Sequence, residues 1–204
     1  MIKNVVFDLG QVLFRFEPMQ LVSKYAESEE DRRTLAAVVF DRLYWDRLDL
    51  GTIEDEELLG LACERLPERL REKGRLAYYN WIYNMPEMPG MREVVSRAKK
   101  MGARVFVLSN ISRYFASHAK EFSLLSEFEY CLFSAEVGFV KPQREIFARL
   151  TEAVGILPEE TLFIDDSKIN IAGAEAFGIK GYLFDGDVNK LQNYLDDVLE
   201  NVNE

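Results

Sequence analysis

Short apolar runs that finish on polar groups punctuate this chain, at Asn4–Leu9, Arg104–Ser109, Tyr130–Ser134, Leu162–Asp165 and Gly181–Phe184. Each is too short for a helix and rich in Val, Ile, Leu and Phe, the pattern of a buried strand. Between the later runs, apolar residues recur at three- and four-residue spacing, which predicts helices over about Met91–Lys100, Arg113–Phe122, Arg144–Val154 and Asn170–Phe177. Strand alternating with helix predicts βαβ units, and so a parallel sheet with helices on both faces: a three-layer, Rossmann-like α/β core. Gly102, Gly155 and Gly178 stand just past three of these helices, where a left-handed stop is expected.

Residues 16–86 break the alternation. They contain no strand pattern and read as helices at Met19–Ala26, Glu29–Leu43, Ile53–Arg65 and Glu68–Tyr83. Leu48-Asp-Leu-Gly51-Thr-Ile reads as a helix end and a turn, with Asp49 or Thr52 as candidate caps of the next helix. The block returns through Pro86-Glu-Met-Pro89-Gly90, whose prolines stiffen the hinge. The expected organisation is an α/β core from residues 1–15 and 87–204 with an inserted helical cap, 16–86. The acidic tail after Asp196 is expected to form a final amphipathic helix, with Leu191, Leu195 and Leu199 spaced by fours.

Composition narrows the partners. A formal charge of −10 argues against nucleic acid, whose binding depends on basic surface. It leaves room for a small anionic substrate, because a bound metal and one or two placed lysines reverse the field locally. Cys63 and Cys131 lie far apart with no metal-binding spacing, and are expected to be reduced, buried thiols. No apolar stretch approaches the ~20 residues that cross a bilayer, and no leader-like segment precedes the first strand, so the expected location is cytoplasmic. The single histidine, His118, is expected on a helix surface with no catalytic partner.

Four groups stand at the expected carboxyl ends of the first four strands, the edge where open α/β sheets bind ligands. They are Asp8, Ser109-Asn110, Lys141 and Asp165-Asp166. Taken singly, each has a plainer reading: Ser109 and Asn110 as helix caps, Lys141 as a solvated loop charge, the Asp pair as a cap for the helix near Ile169. Gathered at one edge, however, three carboxylates repel one another, and a divalent cation settles them; carboxylate and water suit Mg²⁺.

The ordered set Phe-Asp8-Leu-Gly10-x-Val-Leu, Leu-Ser109-Asn110, Lys141-Pro142 and Ile-Asp165-Asp166 resembles the haloacid dehalogenase-like hydrolase superfamily, over essentially the whole chain. Within it the chain is similar to the helical-cap branch that includes bacterial glucose-1-phosphate phosphatase-type enzymes. The resemblance implies a Mg²⁺-dependent phosphoric monoester hydrolase acting on a small phosphorylated metabolite. Asp8 would attack phosphorus to form an aspartyl-phosphate. Asp8, the Gly10 carbonyl, Asp166 and Asp165 (directly or through water) would hold the metal. Ser109 and the Asn110 backbone would bind phosphoryl oxygens, Lys141 would neutralise developing charge, and Asn170 would orient a water or Lys141. The cap would choose the substrate, with Phe14, Arg15, Phe16, Tyr44, Trp45 and Arg47 as candidates; for Tyr44 and Trp45 the plainer reading is packing between cap and core.

One position departs from the pattern. Most phosphatases of the superfamily carry a second Asp two residues after the nucleophile, as proton donor and base; here that residue is Gly10. A sugar 1-phosphate tolerates this loss better than an alkyl phosphate, because its anomeric oxygen leaves more readily, and Gln11 or a metal-bound water is an alternative source of assistance. The departure also keeps two other readings open: a non-catalytic phosphoryl-binding regulator, and a 2-haloacid dehalogenase. Asp165-Asp166 opposes the dehalogenase, since paired acids discourage a carboxylate substrate.

Overall fold

A computed structural model describes residues 1–199. Five strands, β1 (Asn4–Phe7), β2 (Arg104–Ser109), β3 (Tyr130–Phe133), β4 (Thr161–Asp165) and β5 (Lys180–Leu183), form one parallel sheet in the order β3-β2-β1-β4-β5. All five match the expected runs to within a residue or two.

Alternation along the strands buries both faces. Val5 and Phe7 of β1 join one apolar cluster with Met91, Val94 and Val95 and with Leu191, Leu195 and Leu199, while Val6 joins a second with Ile146, Phe147, Leu150 and Ala174. The first group rides on the helices Met91–Lys100 and Val188–Leu199, the second on Arg144–Val154 and Lys168–Phe177. The result is the expected three-layer core. Gly102, Gly155 and Gly178 all adopt positive φ (90°, 65° and 104°), as helix stops should.

The helices are, in chain order, α1 (Pro18–Leu21), α2 (Glu29–Val39), α3 (Arg42–Asp49), α4 (Asp55–Arg65), α5 (Glu68–Asn80), α6 (Met91–Lys100), α7 (Arg113–His118), α8 (Ser134–Val137), α9 (Arg144–Val154), α10 (Lys168–Phe177) and α11 (Val188–Leu199). Helices α1–α5 make up the insertion between β1 and β2 and form a helical cap over the carboxyl edge of the sheet. The chain leaves and returns as a paired crossing: Arg15 N donates to the Pro86 carbonyl and Met88 N to the Leu13 carbonyl.

The helix expected over Met19–Ala26 is cut to the single turn α1, and four further local expectations need correction. The helix anticipated over Glu29–Leu43 is broken after Val39, because Asp41 accepts a hydrogen bond from Leu43 N at 3.0 Å and caps a new helix, α3. Neither Asp49 nor Thr52 caps α4; Asp49 ends α3, and the Thr52 hydroxyl donates backward to the Arg47 carbonyl. Ser134 opens α8 rather than ending β3. Cys63 and Cys131 are free, as expected, but half-buried rather than buried. Among the described residues no helix is long and apolar enough to cross a membrane; the acidic tail beyond Leu199 lies outside them.

Candidate active site

Sheet register brings the first and fourth strands' acids together. Phe7 pairs with Ile164 across β1 and β4, so Asp8 and Asp165 emerge side by side, one step past the last paired residues. On the other side Phe7 pairs with Val107, which sets Ser109 at the same edge. Connections run outward to β2 and β3 on one side and to β4 and β5 on the other, so the edge between β1 and β4 is the switch point where a crevice opens.

Lys141 closes this cluster. Its Nζ lies 2.7 Å from Asp8 Oδ1 and 2.7 Å from Asp165 Oδ2, and the residue is 4% exposed, which rejects a solvated loop charge. Burial works against its charge, yet the two carboxylates prevail and raise its pKa above the ordinary lysine value. Asn110 fixes the lysine from behind: its amide donates to the Lys141 carbonyl at 3.0 Å, and its Oδ1 accepts from Lys141 N at 2.7 Å. The Asn110 side chain is thus committed to Lys141, and Ser112, not Ser109 or Asn110, caps α7.

Asp165 is wholly buried with both oxygens engaged, Oδ2 by Lys141 and Oδ1 by Ser167 N at 2.7 Å, while Asn170 Nδ2 reaches both at 3.1 Å. Asp166 is exposed to the cleft. One carboxylate oxygen from each of Asp8, Asp165 and Asp166 falls within 4.8 Å of the others. Burial, and then the Asp165 charge, raise the Asp166 pKa. Burial also pushes Asp8 up to about 7, with Lys141 pulling downward against it and Asp165 adding to the rise. Three acids share one lysine, so the cluster is short of positive charge.

The loop after Asp8 turns sharply. Gln11 takes a positive φ of 58°, rare for a residue with a side chain. Its amide is spent holding that turn: Nε2 donates to the Phe16 carbonyl and Oε1 accepts from Phe16 N.

Above the cluster lies a cavity of about 470 Å³, within the usual size of small-molecule sites. Its floor is Asp8, Gly10, Ser109, Asn110, Lys141 and Asp166; its wall and roof are Phe16, Arg42, Trp45, Asp49, Trp81 and Met85. Phe16, Trp45 and Trp81 pack mutually with ring centroids 5.1–5.6 Å apart. The two indoles differ: Trp45 Nε1 donates to the Val39 carbonyl at 2.7 Å, whereas Trp81 Nε1 is buried with no partner among the described residues.

Of the residues expected to meet substrate, Phe16 and Trp45 line the cavity. Phe14 is buried behind it, Arg15 is exposed away from it, Arg47 faces Glu57 at 3.6 Å, and Tyr44 lies under Arg65. His118 sits half-buried at the end of α7 with Nδ1 against the Tyr114 carbonyl, outside the cavity. Arg42, Asp49, Trp81 and Met85 escape a reading from sequence, because only the fold of the cap over the sheet turns them toward Asp8. The break before α3, signalled by Asp41, was the one sequence cue for Arg42 and Asp49.

Residues 2–178 match the haloacid dehalogenase-like hydrolase family, and the chain belongs to it. A D-ribitol-5-phosphate phosphatase of Bacteroides thetaiotaomicron is 27% identical over 199 residues, spanning 89% of this chain and 91% of its own. A glyceraldehyde 3-phosphate phosphatase of Pyrococcus furiosus is 28% identical over 196 residues, spanning 90% of this chain and 80% of its own. The crystal structure of a haloacid dehalogenase family enzyme of B. thetaiotaomicron, a magnesium complex, superimposes with a TM-score of 0.71 at 25% identity, covering 93% of this chain and 98% of that one.

Proposed function

We propose that this protein, a phosphoric monoester hydrolase of the haloacid dehalogenase-like family, removes phosphate from a small sugar or sugar-alcohol phosphate with Mg²⁺ as cofactor and Asp8 as nucleophile. The observation that carries the reading is the buried Asp8–Lys141–Asp165 arrangement beneath a cavity, with Asp166 alongside. The donor set fits Mg²⁺: oxygen ligands only, clustered within 4.8 Å, and more acid than one lysine offsets. Asp8, Asp166 and the Gly10 carbonyl would hold the ion, with Asp165, whose oxygens serve Lys141, Ser167 and Asn170, contributing through water. When bound, Mg²⁺ supplies the positive charge that lets a carboxylate approach a phosphate dianion.

Asp8 attacks phosphorus and is later released by water. Ser109 and the Asn110 backbone hold phosphoryl oxygens, and Lys141, fixed by Asn110, offsets the charge that develops there. Residues 16–86 act as the cap that selects the rest of the substrate. Its wall suits a polyol: aromatic faces for the carbon skeleton, and Arg42 and Asp49 for hydroxyls. The named activities of the two curated relatives support this class. A hexose 1-phosphate belongs to it, as does a pentitol phosphate. A 2-haloacid fits poorly, because its carboxylate would meet Asp166 and Asp8.

The test is a panel of phosphorylated sugars and polyols assayed with and without Mg²⁺, alongside Asp8→Asn. Turnover should require the metal, and the substitution should abolish it by several orders of magnitude with the fold intact. Retained turnover in Asp8→Asn overturns Asp8 as nucleophile; metal-independent halide release from a 2-haloacid overturns the phosphatase.

A further inference from the structure

With glycine at position 10, no side chain there can protonate the departing ester oxygen. Most polar groups near Asp8 are already committed: Gln11 to Phe16, the Asn110 amide to Lys141, and both oxygens of Asp165 to Lys141, Ser167 and Asn170. Asp49 is not. It ends α3, lines the same cavity as Asp8, and has no side-chain hydrogen bond or salt bridge among the described residues. Its position is set from the core. The Ser134 hydroxyl donates to the Asp49 carbonyl at 2.5 Å, and Gly51 passes so near α8 that a Cβ would sit 2.6 Å from the Ala135 carbonyl oxygen.

We propose that Asp49, supplied by the cap, is the acid and base that the nucleophile loop lacks. The proposal rests on the phosphatase reading above. As an Asp8 oxygen bonds to phosphorus and the P–O bond to the alcohol breaks, the Asp49 carboxyl gives its proton to the leaving oxygen. Its carboxylate then takes a proton from water as the water oxygen attacks phosphorus; the Asp8–phosphorus bond breaks, phosphate departs, and both carboxyl groups return to their starting forms. Burial pushes Asp49 up to about 7, so both forms are present at neutral pH. The charged groups that face it are Arg42 and Asp46 on its own helix and Lys141 across the cavity.

Leaving-group dependence separates this role from a structural one. In Asp49→Asn, kcat/KM for the alkyl ester glycerol 3-phosphate should fall by ~10²-fold or more. For 4-nitrophenyl phosphate, whose phenolate needs no proton, it should change less than tenfold, with a nitrophenolate burst ahead of slowed turnover. The aryl ester thus controls for folding, and Asp49→Ser provides a second removal of the carboxyl should the amide perturb the cap. Equal loss for both esters in both variants, or no loss for either, overturns the role of Asp49. Failure of the wild-type protein to hydrolyse any phosphate ester with Mg²⁺ is a different result, which removes the phosphatase reading and this role with it.

Discussion

Lys141 bears more electrostatic weight than any other side chain in the site, because among the described residues it alone lies 2.7 Å from two buried carboxylates. Removing one partner of such a cluster strands charge. Lys141→Met should therefore cost about 3–5 kcal/mol in denaturant unfolding at pH 8. Asp8 already lies well above its ordinary 3.8, near 7, with the lysine present, and loses a downward pull without it. A carboxyl whose folded pKa is raised favours the folded state at low pH and withdraws that support as pH rises through the folded value. The variant's deficit should therefore shrink on acidification toward pH 5; a constant deficit would contradict the pairing. Gly10→Asp probes the neighbouring gap. A Cβ at position 10 meets nothing within 4 Å, so the aspartate fits, and turnover of alkyl phosphates should rise in the Asp49→Asn background by about tenfold or more. Asp8 and the Asp pair were legible from sequence because strand register brings them to one edge, whereas Lys141, in the loop between α8 and α9, was legible only through the Lys-Pro motif of the resemblance. Asp49 and Trp81 were not, since their surroundings come from the packing of the cap over a distant sheet edge.

Gly173 and Gly51 set how closely elements approach, and Gly173 makes a prediction about element placement. Gly173 lies on the face of α10 that presses on the loop carrying Lys141; a Cβ there would stand 2.6 Å from Pro142 Cβ and 2.8 Å from the Pro142 carbonyl oxygen. Alanine inside an exposed helix ordinarily stabilises, by roughly 0.4–1 kcal/mol relative to glycine. Here the clash should reverse the sign, with Gly173→Ala costing about 1–3 kcal/mol in thermal unfolding and lowering kcat through displacement of Lys141. An unchanged melting temperature would show that the loop yields without cost. Gly51 does the same for the cap, at φ 72° and against the Ala135 carbonyl. The strands and most core helices were readable because their periodicity is local. The start of α3 was obscured because residues on either side of Asp41 continue a helical spacing, so that a single capping aspartate outweighs the pattern. Helix α8 is one short turn, below the length at which periodicity carries a signal.

At the scale of the whole molecule a formal charge of −10 repels a phosphorylated substrate, so binding depends on reversing the field inside one cavity. Lys141 and Arg42 begin that reversal, but Lys141 is already shared between Asp8 and Asp165. A cation among Asp8, Asp165 and Asp166 would complete it, and its binding would be linked to folding because the cluster exists only when β1 and β4 are paired. Mg²⁺ should therefore raise the melting temperature; at a hundredfold excess over its dissociation constant the gain is about 2.7 kcal/mol. Protons compete for the same oxygens. Asp8 is raised to about 7 by burial, so the cation must displace a proton below that pH and finds a free carboxylate above it. The Mg²⁺-induced shift should accordingly be large at pH 8, shrink at pH 6, and fall in Asp166→Asn at both. Differential scanning calorimetry across that range checks the prediction, and a melting temperature indifferent to Mg²⁺ at every pH would detach the acid cluster from metal binding altogether.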